Sequence, residues 1–266
     1  FDKPFTYSAT WSDKTLSKNT LEMKADHAGG VIGFKTKKGE VVTIKVSSSF
    51  ISAEQAALNL TRELGNDTFD ATLQKGQKIW NQELGRLAVE GGTDAQIRTF
   101  YSCLYRALLF PRKFYELNAQ NQVVHYSPYN GQVLPGYMFT DNGFWDTFRS
   151  AIPFFTLMYP TLNAQIMEGL VNAYKESGFL PEWASPGHRD CMIGSNSASL
   201  IADSYIKGIR GYDINTLYEA VLKNTDHAGA VSSVGRFGHE YYNELGYVPY
   251  DVKINENAAR TLEYAY

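Results

Sequence analysis

Asp94-Ala95-Gln96-Ile97-Arg98-Thr99-Phe100-Tyr101-Ser102-Cys103-Leu104-Tyr105-Arg106-Ala107-Leu108 is the stretch on which the fold turns. Ile97, Phe100, Leu104 and Leu108 recur at helical spacing, so one face of this segment is apolar. Pro111 ends the run, because proline has no amide proton for an interior helical bond. Upstream the period differs. Val42, Ile44 and Val46 alternate with polar residues as a half-buried strand does, while Gly29-Gly30 and Lys38-Gly39 read as turns. Residues 1–50 are therefore expected to be the C-terminal part of a β-sandwich domain. Between the two periods lies a helical linker with a short strand, residues 51–93. Ser52 and Gln55 make a capping box for a helix over 53–63 that Gly65 ends. Phe69, Leu73, Gly76, Trp80 and Leu84 then share one face of a second helix capped near Asp67, and Leu87 to Glu90 reads as a short strand.

Downstream of Pro111, residues 113–144 carry Asn, Gly, Pro and Tyr without helical period, with Gln122 to Tyr126 as a candidate strand. Ordered connections of this length are more often functional than idle. Helices are expected near 145–158, 161–176, 197–207, 213–224 and 256–266. Leu162, Ile166 and Leu170 line one that Gly178 terminates, and Ile214, Leu217 and Val221 line another behind an Asp213 cap. The last helix still runs where the sequence stops, and Phe1-Asp2-Lys3-Pro4 resembles neither a signal peptide nor a translation start, so both ends read as cut. The order of elements suggests an α+β multidomain chain, a β-sandwich joined to a helical barrel whose mouth binds a ligand. A helical solenoid has the same periodicity.

Composition narrows the function. Twenty-five Lys plus Arg against 28 Asp plus Glu leave a net charge of -3, with no basic footprint for a nucleic-acid backbone. No apolar run approaches the ~20 residues of a membrane-spanning helix. Cys103 and Cys191 are too few for a disulfide framework and lack CxxC spacing, though nothing in the sequence forbids a bridge between them. Eighteen Tyr, 15 Phe and 4 Trp suit stacking on sugar faces and suit a core equally well. The five His, at 27, 125, 188, 227 and 239, are scattered, and HExxH, EF-hand, GxSxG, GxGxxG and GxxxxGK[ST] patterns are absent. Cys191 near His188 is too common an interval to mark a nucleophile. The triplets Asn59-Leu60-Thr61 and Asn66-Asp67-Thr68 match a glycosylation pattern that arises often by chance.

Two segments can carry chemistry. In Phe144-Trp145-Asp146-Thr147-Phe148-Arg149 an aromatic face and a carboxylate meet at a helix start, a combination suited to sugar hydroxyls. The alternative is structural, with Asp146 capping the helix and pairing with Arg149 while Trp145 fills core. In Leu180-Pro181-Glu182-Trp183, followed by Ser185 to Asn196, Trp183 offers a second stacking surface before a polar loop. Here the alternative is that Ser195 or Asn196 only caps the next helix and that His188, Arg189 and Asp190 form a solvated cluster.

Taken in order, Trp80-Asn81-Gln82-Glu83-Leu84, Val89-Glu90-Gly91-Gly92, Phe100 to Arg106, Phe144 to Arg149, Gly178 to Trp183, Cys191-Met192-Ile193-Gly194, Lys207-Gly208 and Thr261-Leu262-Glu263-Tyr264-Ala265-Tyr266 resemble glycoside hydrolase family 92. The match runs from about residue 41 to the end. Each piece is weak singly, and their order is specific. The resemblance implies an N-terminal β-sandwich, a helical linker and an (α/α)6 catalytic barrel, here residues 94–266 in part. It also implies calcium-dependent, inverting exo-cleavage of α-linked mannose, with α-1,2 linkages expected, from N-glycan or yeast-mannan glycans. Family members are mostly secreted or periplasmic bacterial enzymes; the resemblance says nothing of the oligomer.

The family's acid and base carboxylates fall in segments downstream of the Thr-Leu-Glu-Tyr-Ala-Tyr motif that this sequence does not contain, so the resemblance implies no catalytic residue here and an isolated chain without turnover. What carries over is the floor of the mannose site: Trp145, Asp146, Trp183, Cys191 and Asn196 are the expected substrate-binding residues. Three departures stand out. Many relatives have Gly-Asp-His where this chain has Gly194-Ser195-Asn196, many have His at Arg106, and the family often has Lys at Glu182, which is therefore not taken as an acid. Two other readings remain: a carbohydrate-binding or scaffold fragment without hydrolysis, and an (α/α)6 hydrolase of glucosides using Asp146 or Asp190 as its acid.

Overall fold

The structure, a computed structural model, describes residues 1–192, 194–231, 234–249 and 251–252. The expected helix at 256–266 and the Thr261 to Tyr266 motif lie outside the described residues. The chain divides into two compact units, residues 1–48 with 56–79, and residues 49–55 with 80 onward.

The first unit holds three antiparallel strands, β1 (Tyr7–Ser12), β2 (Thr15–Lys18) and β3 (Ala28–Gly33), in the order β2-β1-β3. Ala9 and Thr10 on the central strand are buried. Gly29-Gly30, expected as a turn, instead pairs with Trp11 and Thr10 in the β1–β3 ladder. The reason is steric: a Cβ on Gly29 would sit 2.3 Å from the Trp11 indole, so the glycine makes room for a ring lying across the neighbouring strand. Lys38-Gly39 is a turn, with Gly39 at φ 86° and the Glu40 amide donating to the Lys37 carbonyl. The Val42 to Val46 stretch is not a strand. Its Thr43 exchanges bonds with Asp2, a single bridge rather than a ladder, and Val46 is 77% exposed.

Two helices follow. In α1 (Ala53–Glu63) the first turn is satisfied as expected, by Ser52 Oγ accepting from the Gln55 amide at 3.1 Å, and Gly65 at φ 49° ends the run. Thr68 rather than Asp67 caps α2 (Phe69–Leu84), its Oγ1 accepting from the Ala71 amide, while Asp67 pairs with Lys75. Phe69 on the expected apolar stripe is 72% exposed.

The second unit is mainly helical. No strand forms at Leu87 to Glu90, where the Leu87 carbonyl accepts from the Tyr101 hydroxyl instead of a ladder partner. Thr93 and Gln96 form a reciprocal capping box at the start of α3 (Asp94–Ala107), which buries Leu104. The connection beyond Pro111 is ordered by short strands: β4 (Arg112–Lys113), β5 (Glu116–Leu117), β6 (Val123–Tyr126), β7 (Val133–Pro135), β8 (Phe139–Thr140) and β9 (Asn142–Gly143). They pair as β5-β6-β7 and β4-β8, and the expected strand at 122–126 is the centre of the first sheet.

The helix expected over 145–158 is two helices, α4 (Phe144–Thr147) and α5 (Ala151–Met158), broken where Ser150 leaves helical geometry at φ −146°. After α6 (Pro160–Ser177), Gly178 adopts φ 82° and closes the helix on the Tyr174 carbonyl, as its sequence position predicts. There follow β10 (Trp183–Ala184), α7 (Asn196–Ile206), α8 (Ile214–Asp226) and α9 (His239–Leu245). Asp213 caps α8 through the Thr216 amide, while α9, bracketed by Gly238 and Gly246 at positive φ, was not expected. Phe144, Ile152, Phe155, Met167, Leu170, Leu180, Leu200 and Leu217 form one core between α4 and α8. Within it the Asn163 amide donates to Thr156 and Ser204 hydroxyls at 2.9 Å each, joining α5, α6 and α7.

His125, fully buried, fastens the β5-β6-β7 sheet to α6. Its Nδ1 lies 2.9 Å from the Gly136 carbonyl and its Nε2 2.8 Å from a Glu176 carboxylate oxygen. A carbonyl and a carboxylate both accept, so against burial these contacts favour the doubly protonated ring and hold the His125 pKa above its ordinary value. Cys103 and Cys191 are free thiols, so the bridge the sequence allowed does not form. Among the described residues no helix is long and apolar enough to cross a membrane.

Candidate functional site

The site is assembled where two short strands cross. β9 and β10 pair antiparallel, with Trp183 opposite Gly143 and Ala184 opposite Asn142. The next amide along, Phe144 N, donates to the Glu182 carbonyl at 3.1 Å, and the chain turns directly into α4. Trp145 and Asp146 therefore leave the crossing two and three residues beyond Gly143, which pairs with Trp183. A Cβ built on Gly143 would stand 2.7 Å from the Trp183 ring and 3.1 Å from Asp146 Oδ2, so the indole and the carboxylate converge on the space that glycine leaves open.

Asp146 does not cap the helix, as one reading of the sequence had it. The N-cap is Gly143, and Asp146 sits exposed in the first turn, with no side-chain hydrogen bond or ion pair among the described residues. Nor is Arg149 its partner: the guanidinium lies over the Trp145 ring at 4.1 Å and near Phe148 at 5.1 Å. The half-buried Trp145 thus has one face backed by a cation, and Asp146 keeps its acceptor capacity for something else.

Glu182 sits behind this surface. Its side chain is 2% exposed, and its carboxyl meets the start of α7: Ser197 Oγ donates at 2.5 Å and Ser197 N at 3.1 Å, with the Asn196 amide a third donor. Burial pushes its pKa up to about 8, against the opposing pull of those donors. Ser195 occupies the N-cap position of α7 but makes no side-chain cap bond, so the capping that the sequence suggested for Ser195 or Asn196 is supplied by Glu182 from far back in the chain. Its carboxyl is committed, consistent with its not being taken as an acid. No local signal in the sequence pointed to this role.

The polar loop after β10 folds back on itself. Ser185 Oγ donates to Asp141 at 2.8 Å, Arg112 pairs with the other Asp141 oxygen at 3.4 Å, and the Arg189 amide returns to the Trp183 carbonyl. The expected alternative of a solvated His188-Arg189-Asp190 cluster holds for Arg189 and Asp190, which are exposed, and fails for His188. That ring packs against Tyr129 with centroids 4.8 Å apart, neither ring nitrogen has a partner among the described residues, and burial lowers its pKa to about 4, so the imidazole is neutral. Asn142, 4% exposed, likewise has neither end of its amide paired.

Of the five expected site residues, the structure brings Asp146 and Trp183 together around Gly143, with Trp145 next to Asp146 in the first turn of α4 and its ring against Arg149. Asn196 joins them indirectly, since α4 packs on α7 and Asn196 opens α7 on the Glu182 carboxyl. Cys191 lies half-buried on the segment leading into α7, and no hydrogen bond or ring contact ties it to the others. Calcium, which the resemblance implies, takes six to eight oxygen ligands. Among the described residues no three His, Cys, Asp or Glu side chains converge as a metal group, and no calcium ligand is assigned to them.

Comparison with known proteins bears on the same region. Residues 55–266 match the sequence model of the glycosyl hydrolase family 92 catalytic domain. The chain is 49% identical to a family GH92 inverting mannosidase from Bacteroides thetaiotaomicron, with a TM-score of 0.90 over 99% of this chain and 36% of that one. It is 28% identical to a family GH92 alpha-mannosidase of the same organism, solved in complex with mannoimidazole, with a TM-score of 0.78 over 98% of this chain and 34% of that one. A curated protein of Arthroderma benhamiae, described as an uncharacterized secreted glycosidase, is 28% identical over 239 residues, 85% of this chain and 26% of the relative. The chain thus spans about a third or less of the length of these relatives.

Proposed function

Because the chain belongs to glycosyl hydrolase family 92, we propose that it supplies the sugar-holding floor of a glycosidase that removes terminal α-linked mannose, α-1,2-linked above all. The observation that carries this reading is the convergence of Trp183 and Asp146 on the space above Gly143, with Trp145 adjacent. An exposed, unpaired carboxylate accepts hydrogen bonds from two adjacent hydroxyls of a pyranose, and an indole covers its C–H face. These are binding contacts. The proposal assigns the acid and base to residues outside this chain, at the ~6.5–9.5 Å separation that inversion requires. The isolated chain then binds mannose without turning it over.

The reading extends to terminal mannose on N-glycan or yeast-mannan type glycans and to a secreted or periplasmic location, supported by the mannosidase relatives and the secreted curated one. The architecture it assumes is the end of a β-sandwich over residues 1–50, a linker over 51–93 and part of an (α/α)6 barrel over 94–266. Calcium is proposed as a cofactor of the whole protein, where it would engage mannose hydroxyls.

Aryl-glycoside profiling of the whole protein tests the assignment. Release from α-mannoside, abolished by EDTA and restored by calcium, with β-mannose as the first anomer seen by proton NMR, is the expected result. Activity on α-glucoside without α-mannoside would replace this reading with the glucosidase one. Mannose binding with no release from any mannoside would favour the second reading, recognition without hydrolysis, for which the committed carboxyl of Glu182 speaks.

A further inference from the structure

One buried residue ties together the elements that carry Trp145, Asp146, Trp183 and Asn196. The side chain of Glu182 holds the first amides of α7, at Asn196 and Ser197, together with the Ser197 hydroxyl. Its main-chain carbonyl holds the first amide of α4, at Phe144. Its covalent neighbour is Trp183, whose backbone pairs with Gly143 and whose ring covers that glycine. The helix that carries Trp145 and Asp146, the strand that carries Trp183 and the helix that Asn196 opens are therefore referred to a single position. A carboxyl placed there is unusual, since burying it costs free energy that the Ser197 and Asn196 donors only partly return. An apolar residue would fill the space more cheaply but would leave the start of α7 without acceptors.

We propose that Glu182 is a positioning residue for sugar binding, whose carboxyl locks the N-terminus of α7 to the β9–β10 crossing and so sets the relative placement of Trp183, Asp146 and Trp145. The inference rests on the sugar-binding reading of this surface. It involves no contact between Glu182 and substrate, because the carboxyl is buried and committed. Sites of this kind depend on side chains whose geometry is fixed from behind, and loosening the support shows in binding first.

The test compares the whole protein with its Glu182→Ala and Glu182→Gln variants by steady-state kinetics on an α-mannoside and by hydrogen exchange. Glutamine keeps an oxygen acceptor for the α7 amides, and its Nε2 donates to Ser197 Oγ once that hydroxyl, the donor in the wild type, turns to accept. Expected for Glu182→Ala is a KM raised about tenfold or more with kcat changed less than about threefold. Exchange should accelerate at the start of α4 and of α7 while α6 stays protected. Glu182→Gln should return KM to within about threefold of wild type. A residue that only stabilises the fold would lower the active fraction, and so kcat, at constant KM; that result overturns the proposal, as does an unchanged KM in a folded Glu182→Ala protein. Should the wild type act on no mannoside and bind no mannose, the sugar reading fails, and accelerated exchange confined to α4 and α7 in the alanine variant would still support the lock. Unaltered exchange there would overturn it.

Discussion

Gly143 has no side chain because its neighbours occupy the place of one. Its backbone angles, φ −97° and ψ 117°, are open to any residue, so the constraint is space and not conformation. A methyl group there would press on the Trp183 ring at 2.7 Å and approach Asp146 at 3.1 Å. Gly143→Ala should therefore push the indole off its seat, weakening mannose binding about tenfold and costing about 1 to 3 kcal/mol of stability. Titration calorimetry alongside thermal unfolding would check both, and unchanged affinity would mean that Trp183 does not form part of the sugar surface. Trp145, Asp146 and Trp183 stand out in the sequence as candidates because an aromatic beside a polar group at an element boundary is a local pattern. Glu182 does not, because its partner Ser197 lies 15 residues on and nothing near Glu182 announces a helix start in need of acceptors. A longer separation hid His188, which reads as a surface residue until Tyr129, far earlier in the chain, is seen packed against it.

At the scale of elements, the His125–Glu176 contact decides how the β5-β6-β7 sheet stays on α6. Burial alone would lower the His125 pKa, but the hydrogen bonds to Glu176 and the Gly136 carbonyl outweigh it and hold it above the ordinary value. A histidine whose pKa rises on folding contributes its full stability below the unfolded value, about 6.5, and loses it as pH climbs through the raised one. Glu176→Ala strips the partner from a buried charge and should cost about 3 to 5 kcal/mol at pH 6, with the loss shrinking as pH rises through the raised pKa. Urea unfolding across that pH range reads this directly, and a loss that does not change with pH would contradict an ionic contact. The elements that the sequence revealed are those with local punctuation: Ser52 before α1, Asp213 before α8, Gly178 after α6. Those it missed lack it. β4, β5, β7, β8 and β9, of two or three residues each, are too short to show alternation, and α9 has seven residues between two glycines. Gly29-Gly30 misled because its glycines answer to Trp11 on another strand, while the alternation at Val42 to Val46 promised a ladder that does not form.

At the scale of the whole molecule, the chain is about a third as long as the solved relatives it matches, and in the proposed reading it contributes the surface that holds the sugar while the proton-transferring carboxyls lie elsewhere. The separation is chemically reasonable: the groups that hold the terminal sugar need fixed geometry, while the carboxyls that move protons must flank it at a distance set by a water molecule. Binding by this chain and turnover by the whole protein are consequently separable quantities. The most direct measurement is hydrolysis of α-1,2-linked mannobiose by the whole protein and by its Asp146→Ala variant, with KM and kcat determined for each. The account predicts mannose release by the wild type and a loss of about a hundredfold or more in kcat/KM in the variant, as expected when a charged acceptor for two sugar hydroxyls is removed. Equal kcat/KM for the two proteins would contradict it, because the surface around Gly143 would then not be where the sugar sits.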